Sequence, residues 1–309
     1  MMDLLVALRW ELFKARRLRM LWVLLGLLVL LLVLSAGISY QAYQDVRRYA
    51  RVEIAEAATA DRPARALRQE VLAAALRANL ELPSAYGGIS GVLFFPGFVL
   101  ISIAGATLVA NEFGWGTMQR LLGRGRRRWV MVGAKLGLVA ILAAVGVVVG
   151  LAAGTAIASL TSWRLGSLDG SVFGDAETWR SLGVVAVRLW AVLTVYGLAA
   201  AAAGFAWQNP GVAVGGALVY YFVEALVSGL IVQSRGWLSE LRPYLLGNVT
   251  RALVVNDNPF LVSLAVLRET GGEAAARVLD PGAAWAVLAV YGAAFVALSL
   301  VLVRRDLSV

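Results

Sequence analysis

The chain has 309 residues, 60% of them hydrophobic and 15% charged, with a formal net charge of +9; a soluble domain carries about 25% charged residues, so this composition excludes an ordinary water-soluble globule. It holds no cysteine and no histidine, which excludes disulfides, thiolate and imidazole metal sites, and Ser-His or Cys-His nucleophile pairs. Apolar runs of roughly 20 residues recur, the length a helix needs to cross a bilayer core; they are continuous rather than alternating, so the expected fold is an all-α integral membrane protein and not a barrel.

Residues 1–17 read as an amphipathic elbow helix lying on the membrane surface, with Leu4, Leu5, Leu8 and Leu12 on one face and Asp3, Glu11 and Lys14 opposite. The first span follows at 18–40. Its apolar run continues to Ile38 with no clear cleavage site after it, the pattern of an uncleaved anchor rather than a signal peptide. Residues 41–85 read as a solvated outer helical hairpin broken at Asp61-Arg62-Pro63, with seven arginines against six acids. The second span covers 87–110 and the third 129–160, separated by a basic connector at 111–128. The fourth span, 182–206, ends in a tight turn at Trp207-Gln208-Asn209-Pro210, and the fifth covers 211–232. Short outer helices are expected within 234–279, where 260–267 is apolar but too short to span. The sixth span, 281–303, opens with Asp280 as a cap and Pro281 at the first helical position.

Six spans leave both termini on one side. On that side lie Arg9, Lys14, Arg16, Arg17 and Arg19, then Arg120, Arg124, Arg126, Arg127 and Arg128 of the connector, then Arg304 and Arg305. The positive-inside rule makes this the cytoplasmic side. The basic residues flank apolar runs, so they mark topology and not nucleic-acid binding; the connector arginines alone are also explained by contact with anionic headgroups.

Within the spans, Arg188 and Glu224 fall at similar depth on neighbouring antiparallel helices. An ion pair locking the two helices is the leading expectation, with a polar lining of a substrate path or an ion site as alternatives. Gly146, Gly150, Gly154 and Ala158 form a small-residue stripe on the third span, which serves close helix packing within the chain or a seam between two copies.

The connector carries a pattern: Glu112, Gly116-Thr117, Leu121-Leu122, a basic turn and Lys135. This resembles the motif of membrane subunits of type-2 class ABC exporters, which reads E-x3-G-T-x3-L-L, then a short basic turn often containing proline, then Gly-Lys opening the next helix. Two positions depart from it: Gly125 stands where the turn proline is usual, and the Gly-Lys pair is split as Gly133-Ala134-Lys135. The order of elements is also similar, with an elbow helix, six spans and short outer helices between the fifth and sixth.

The resemblance implies that the connector is a coupling helix seated on a separate ATPase subunit, with Glu112, Gly116, Thr117, Arg120 and Leu121 in contact with it. It also implies two ATPase copies carrying ATP and Mg, a second copy of this chain or a paralogous permease, surrounding membrane lipids, and a place in a bacterial cell membrane with export or translocation of a substrate. The chain is then a transporter subunit and not an enzyme, with no cofactor of its own; no G-x-x-x-x-G-K-[ST] segment occurs in it. The alternatives are an ion-coupled secondary transporter, which needs intramembrane acids or inverted repeats, and a membrane enzyme acting on lipid. Glu224 is the one clear intramembrane acid, and no repeat is visible.

Overall fold

A computed structural model describes residues 2–60, 73, 74, 76, 77, 79–114, 128–232, 240–256, 258–261 and 279–305. Their regular structure is entirely helical: α1 (Met2–Arg17), α2 (Arg19–Ala60), α3 (Ala85–Gly114), α4 (Arg128–Leu165), α5 (Ala176–Trp207), α6 (Pro210–Val232), α7 (Leu246–Arg251) and α8 (Pro281–Arg305). Six of these helices are long and apolar enough to cross a membrane: α2, α3, α4, α5, α6 and α8. The protein is therefore a multi-pass membrane protein of helical class.

Helix boundaries follow local chemistry. Gln208 takes a left-handed backbone (φ 52°) and returns its N–H to the Gly204 carbonyl, which ends α5. Asn209 Oδ1 then accepts from the N–H groups of Gly211 (2.9 Å) and Val212 (3.2 Å), with Pro210 between them as the first helical residue of α6. The expected tight turn is thus a stop and a start in consecutive residues. Asp280 opens α8 in the same way, Oδ2 accepting from Gly282 N–H at 3.0 Å. Asp175 caps α5 through Glu177 and Thr178.

Two expectations are altered. The helix that carries the first span does not stop near residue 40: α2 continues unbroken for 42 residues to Ala60, about 63 Å at 1.5 Å per residue. Residues 41–60 contain neither proline nor glycine, so nothing ends the helix there. The break anticipated at 61–63 lies outside the described residues. The second change is at 246–260, expected as outer helices. These residues enter the bundle: Leu246, Val249, Thr250, Leu253 and Phe260 are buried against α3, α5, α6 and α8. Leu246, Val249 and Leu253 share one face at helical spacing, and the segment buries that face between span ends. Asn258 fastens it by donating from Nδ2 to Ser90 Oγ at 2.8 Å, and the Phe260 ring packs at a tilt against Tyr86 with ring centroids 5.2 Å apart.

The core is built around α3, which packs on α5, α4, α6 and α2. Small residues make this possible, since lipid offers no hydrophobic drive for helices to associate and close contact has to supply it. A Cβ on Gly105 would stand 2.5 Å from the Gly197 carbonyl oxygen, so α3 and α5 touch backbone to backbone. In the small-residue stripe of α4, Gly150 faces Leu93 and Gly154 faces Ile89, both on α3, while Gly146 faces open space. Gly105→Ala is expected to lower stability by about 1–3 kcal/mol through overpacking, whereas Gly146→Ala, with open space for its methyl, should not lower it and gains up to about 1 kcal/mol of helix propensity; thermal melts of the two variants in detergent compare them directly.

Candidate functional site

The connector leaves α3 at one point and returns into α4 close by, and both ends carry a charged residue turned inward. Glu112, near the end of α3, is 9% exposed. Lys135, two turns into α4, is 2% exposed. The Lys135 Nζ donates to Glu112 Oε1 at 2.8 Å and to the Leu108 carbonyl at 3.4 Å. The base of the connector is thus closed by a buried ion pair.

α1 completes the cluster. Glu11 is 6% exposed, and its Oε2 lies 3.5 Å from the Lys135 ammonium. Lys14 donates to Glu11 Oε1 at 2.9 Å and to Glu112 Oε1 at 3.3 Å. Two carboxylates and two ammonium groups therefore alternate across three helices, with no net charge. A buried charge is costly unless it is paired and hydrogen-bonded; here each is paired, while Glu112 Oε2 is buried without a hydrogen-bond partner among the described residues.

Glu11 was expected on the polar face of α1, away from the apolar one. The structure turns it inward: the face of α1 that meets α4 contains Leu4, Ala7 and Leu8, packed on Val130 and Ala134, and Glu11 continues that same row one turn further on. Leu5, Val6, Trp10 and Phe13 are the exposed large apolar residues of α1. Glu11 is buried because Lys135, on another helix, is there to meet it. A trace of the cluster is present in the composition, since the chain's only lysines are Lys14 and Lys135 and both are in it. A lysine is a compact charge on a flexible stem and bridges two carboxylates in a narrow space, where arginine's planar fork is wider.

Burial pulls the Lys14 ammonium down, but the hydrogen bond it donates to Glu11 and the charges of Glu112 and Glu11 outweigh it and hold the group above its ordinary value of 10.5. A raised lysine adds stability that is full below its unfolded value and is lost as pH rises through the folded one.

The remaining candidates are placed as follows. Gly116, Thr117, Arg120 and Leu121 lie outside the described residues. Arg188 is half-buried on α5, and Glu224 is 7% exposed on α6. No ion pair among the described residues joins these two; Glu224 Oε1 accepts from the Gly247 N–H of α7 at 2.7 Å. Equal depth in the bilayer leaves rotation about each helix axis open, and the insertion of α7 beside α6 supplies a backbone donor that residue counting does not reveal. Compared with known proteins, the chain matches no protein-family model and no curated protein sequence.

Lys135→Met is expected to destabilise the protein by roughly 3–5 kcal/mol, because it strands buried carboxylates; adding Glu112→Gln should recover part of that loss, measured by thermal melting of the two single variants and the double. In a melt series taken upward from about pH 8, the contribution of Lys14 should persist to pH 10.5 and disappear above it, a loss absent from Lys14→Met.

Proposed function

We propose that this chain is the membrane subunit of an ATP-driven ABC exporter, working with a separate ATPase subunit in a bacterial cell membrane to move a substrate across it. The observation that carries the reading is the charged clasp at the connector's base. The two helix ends that flank the connector are held together by Glu112 and Lys135, with α1 fastened to the same point by Glu11 and Lys14. A push on the connector moves α1, α3 and α4 together instead of bending one helix end.

In this reading both termini and the connector face the cytoplasm, in line with the arginines that flank them. Gly116, Thr117, Arg120 and Leu121 meet the ATPase, which carries ATP and Mg, and Glu112 anchors the segment from inside. Two copies of the chain, or one copy and a paralogous permease, enclose the path, and nucleotide-driven closure of the ATPases shifts the spans between inward- and outward-facing states.

Co-purification with an ABC ATPase encoded alongside this chain tests the reading. The pair should associate, and Leu121→Asp should weaken association by roughly tenfold or more as a buried interface anchor is lost. The double variant Glu112→Gln/Lys135→Met should still associate, yet ATP hydrolysis should no longer respond to the membrane subunit. Failure of the unaltered pair to associate removes the proposal. Orientation has its own check: the chain has no cysteine, so Arg120→Cys should react with an impermeant thiol reagent only after cells are opened, and labelling of intact cells overturns the assignment.

A further inference from the structure

At the end of the bundle away from the connector, α6, α7 and the Arg242–Tyr244 turn line an open-sided cavity of about 200 Å³. Its lining is unlike the apolar interior around it: Glu224, Arg242, Arg251, Asn248, Ser228 and Tyr221 all face it. Glu224 stands eight residues before the end of α6, roughly 12 Å along the axis, a depth at which a charge is retained only with a partner or a purpose.

The wall is rigidly built. Asn248 Nδ2 donates to Ser228 Oγ on α6 at 2.9 Å and to the Arg242 carbonyl at 2.7 Å, holding Arg242 against α6. Glu224 Oε1 is satisfied by Gly247 N–H at 2.7 Å. Two polar atoms in this wall make no hydrogen bond within contact distance among the described residues, Glu224 Oε2 and Arg242 Nε, although the Tyr220 side chain lies near enough to Glu224 to interact with its carboxylate. Nor does any ion pair among the described residues join Glu224 to Arg242 or Arg251. The acid and the two guanidinium groups share a cavity without neutralising one another.

A ligand that is only an anion leaves Glu224 unmet, and one that is only a cation leaves the arginines unmet. We propose that this cavity binds a phosphate-plus-primary-ammonium group, the ammonium donating to Glu224 Oε2 and the phosphate accepting from Arg242 and Arg251. Arginine's fork suits phosphate oxygens, and the carboxylate accepts from an N–H cation. The cavity volume matches a headgroup and not a whole lipid, and beside it Leu226, Val227 and Leu230 of α6 are exposed, an apolar strip along which acyl chains can lie. The same chemistry is offered by the headgroup of phosphatidylethanolamine and by soluble O-phosphoethanolamine. This inference does not rest on the coupling reading.

The test uses purified full-length protein in detergent, titrated with phosphatidylethanolamine, phosphatidylglycerol or O-phosphoethanolamine, with bound ligand read by native mass spectrometry. The unaltered protein should prefer phosphatidylethanolamine over phosphatidylglycerol by roughly tenfold, the lower end of what one charge-assisted hydrogen bond supplies. Glu224→Gln, which keeps the acceptor for Gly247, should abolish that preference, and Arg251→Gln, at an exposed position, should weaken binding of both lipids. Binding of O-phosphoethanolamine as tight as that of the lipid assigns the site to a soluble ligand, and binding of lipid alone assigns it to the membrane; either supports the site. Equal binding of the two lipids, no binding of any of the three, or an unchanged preference in Glu224→Gln overturns it. Should Glu224→Gln fail to fold, unchanged lipid binding by Arg251→Gln overturns it equally.

Discussion

An ammonium group that is almost wholly removed from water has to be met by negative charge, and Lys135 imposes that condition on everything near it. It draws Glu112 from the end of α3 and Glu11 from α1, and the two acids together bring in Lys14. The N-terminal helix, the second span and the third span are thereby joined at a single point. Apolar contact alone, Leu4 and Leu8 against the start of α4, leaves α1 free to slide by a turn. The charged cluster does not, because a shift of one turn leaves each carboxylate without its partner.

The rest of the bundle is assembled on a different principle. Its helices are apolar on most faces, so hydrophobicity does not tell one face from another. Glycine does: Gly105 against Gly197, and Gly204 against Ala106, bring α3 and α5 into backbone contact and make α3 the centre of the bundle. Gly150 and Gly154 let α4 close on the same helix from another side. Along α6, where Val219, Phe222, Val223, Leu226 and Leu230 are exposed, the chain presents an apolar surface fitted to lipid.

The two ends of the molecule treat buried charge differently. At the connector end, each acid is paired with a lysine, although Glu112 Oε2 makes no hydrogen bond among the described residues. At the opposite end, Glu224 is met by a backbone N–H instead of a cation, and two arginines stand nearby without pairing with it. Residual polar capacity of that kind suits recognition of a ligand that brings the missing partners with it.

The sequence by itself determined the helical class, the six apolar helices, the turn at 207–210 and the start of α8, because length, continuous hydropathy and capping residues act within a few positions of one another. It also singled out Glu112 and Lys135 as ends of one motif, although not as a bonded pair. Only the tertiary structure decided which helix faces meet: that Glu11 turns inward, that α2 runs on to Ala60, that 246–260 enters the bundle, and that Glu224 is met by the Gly247 N–H. Residue spacing sets depth and helical phase within one segment, but the rotation of a helix against its neighbours depends on contacts between residues far apart in the chain, such as Glu11 with Lys135 or Ser90 with Asn258, and no local pattern encodes them.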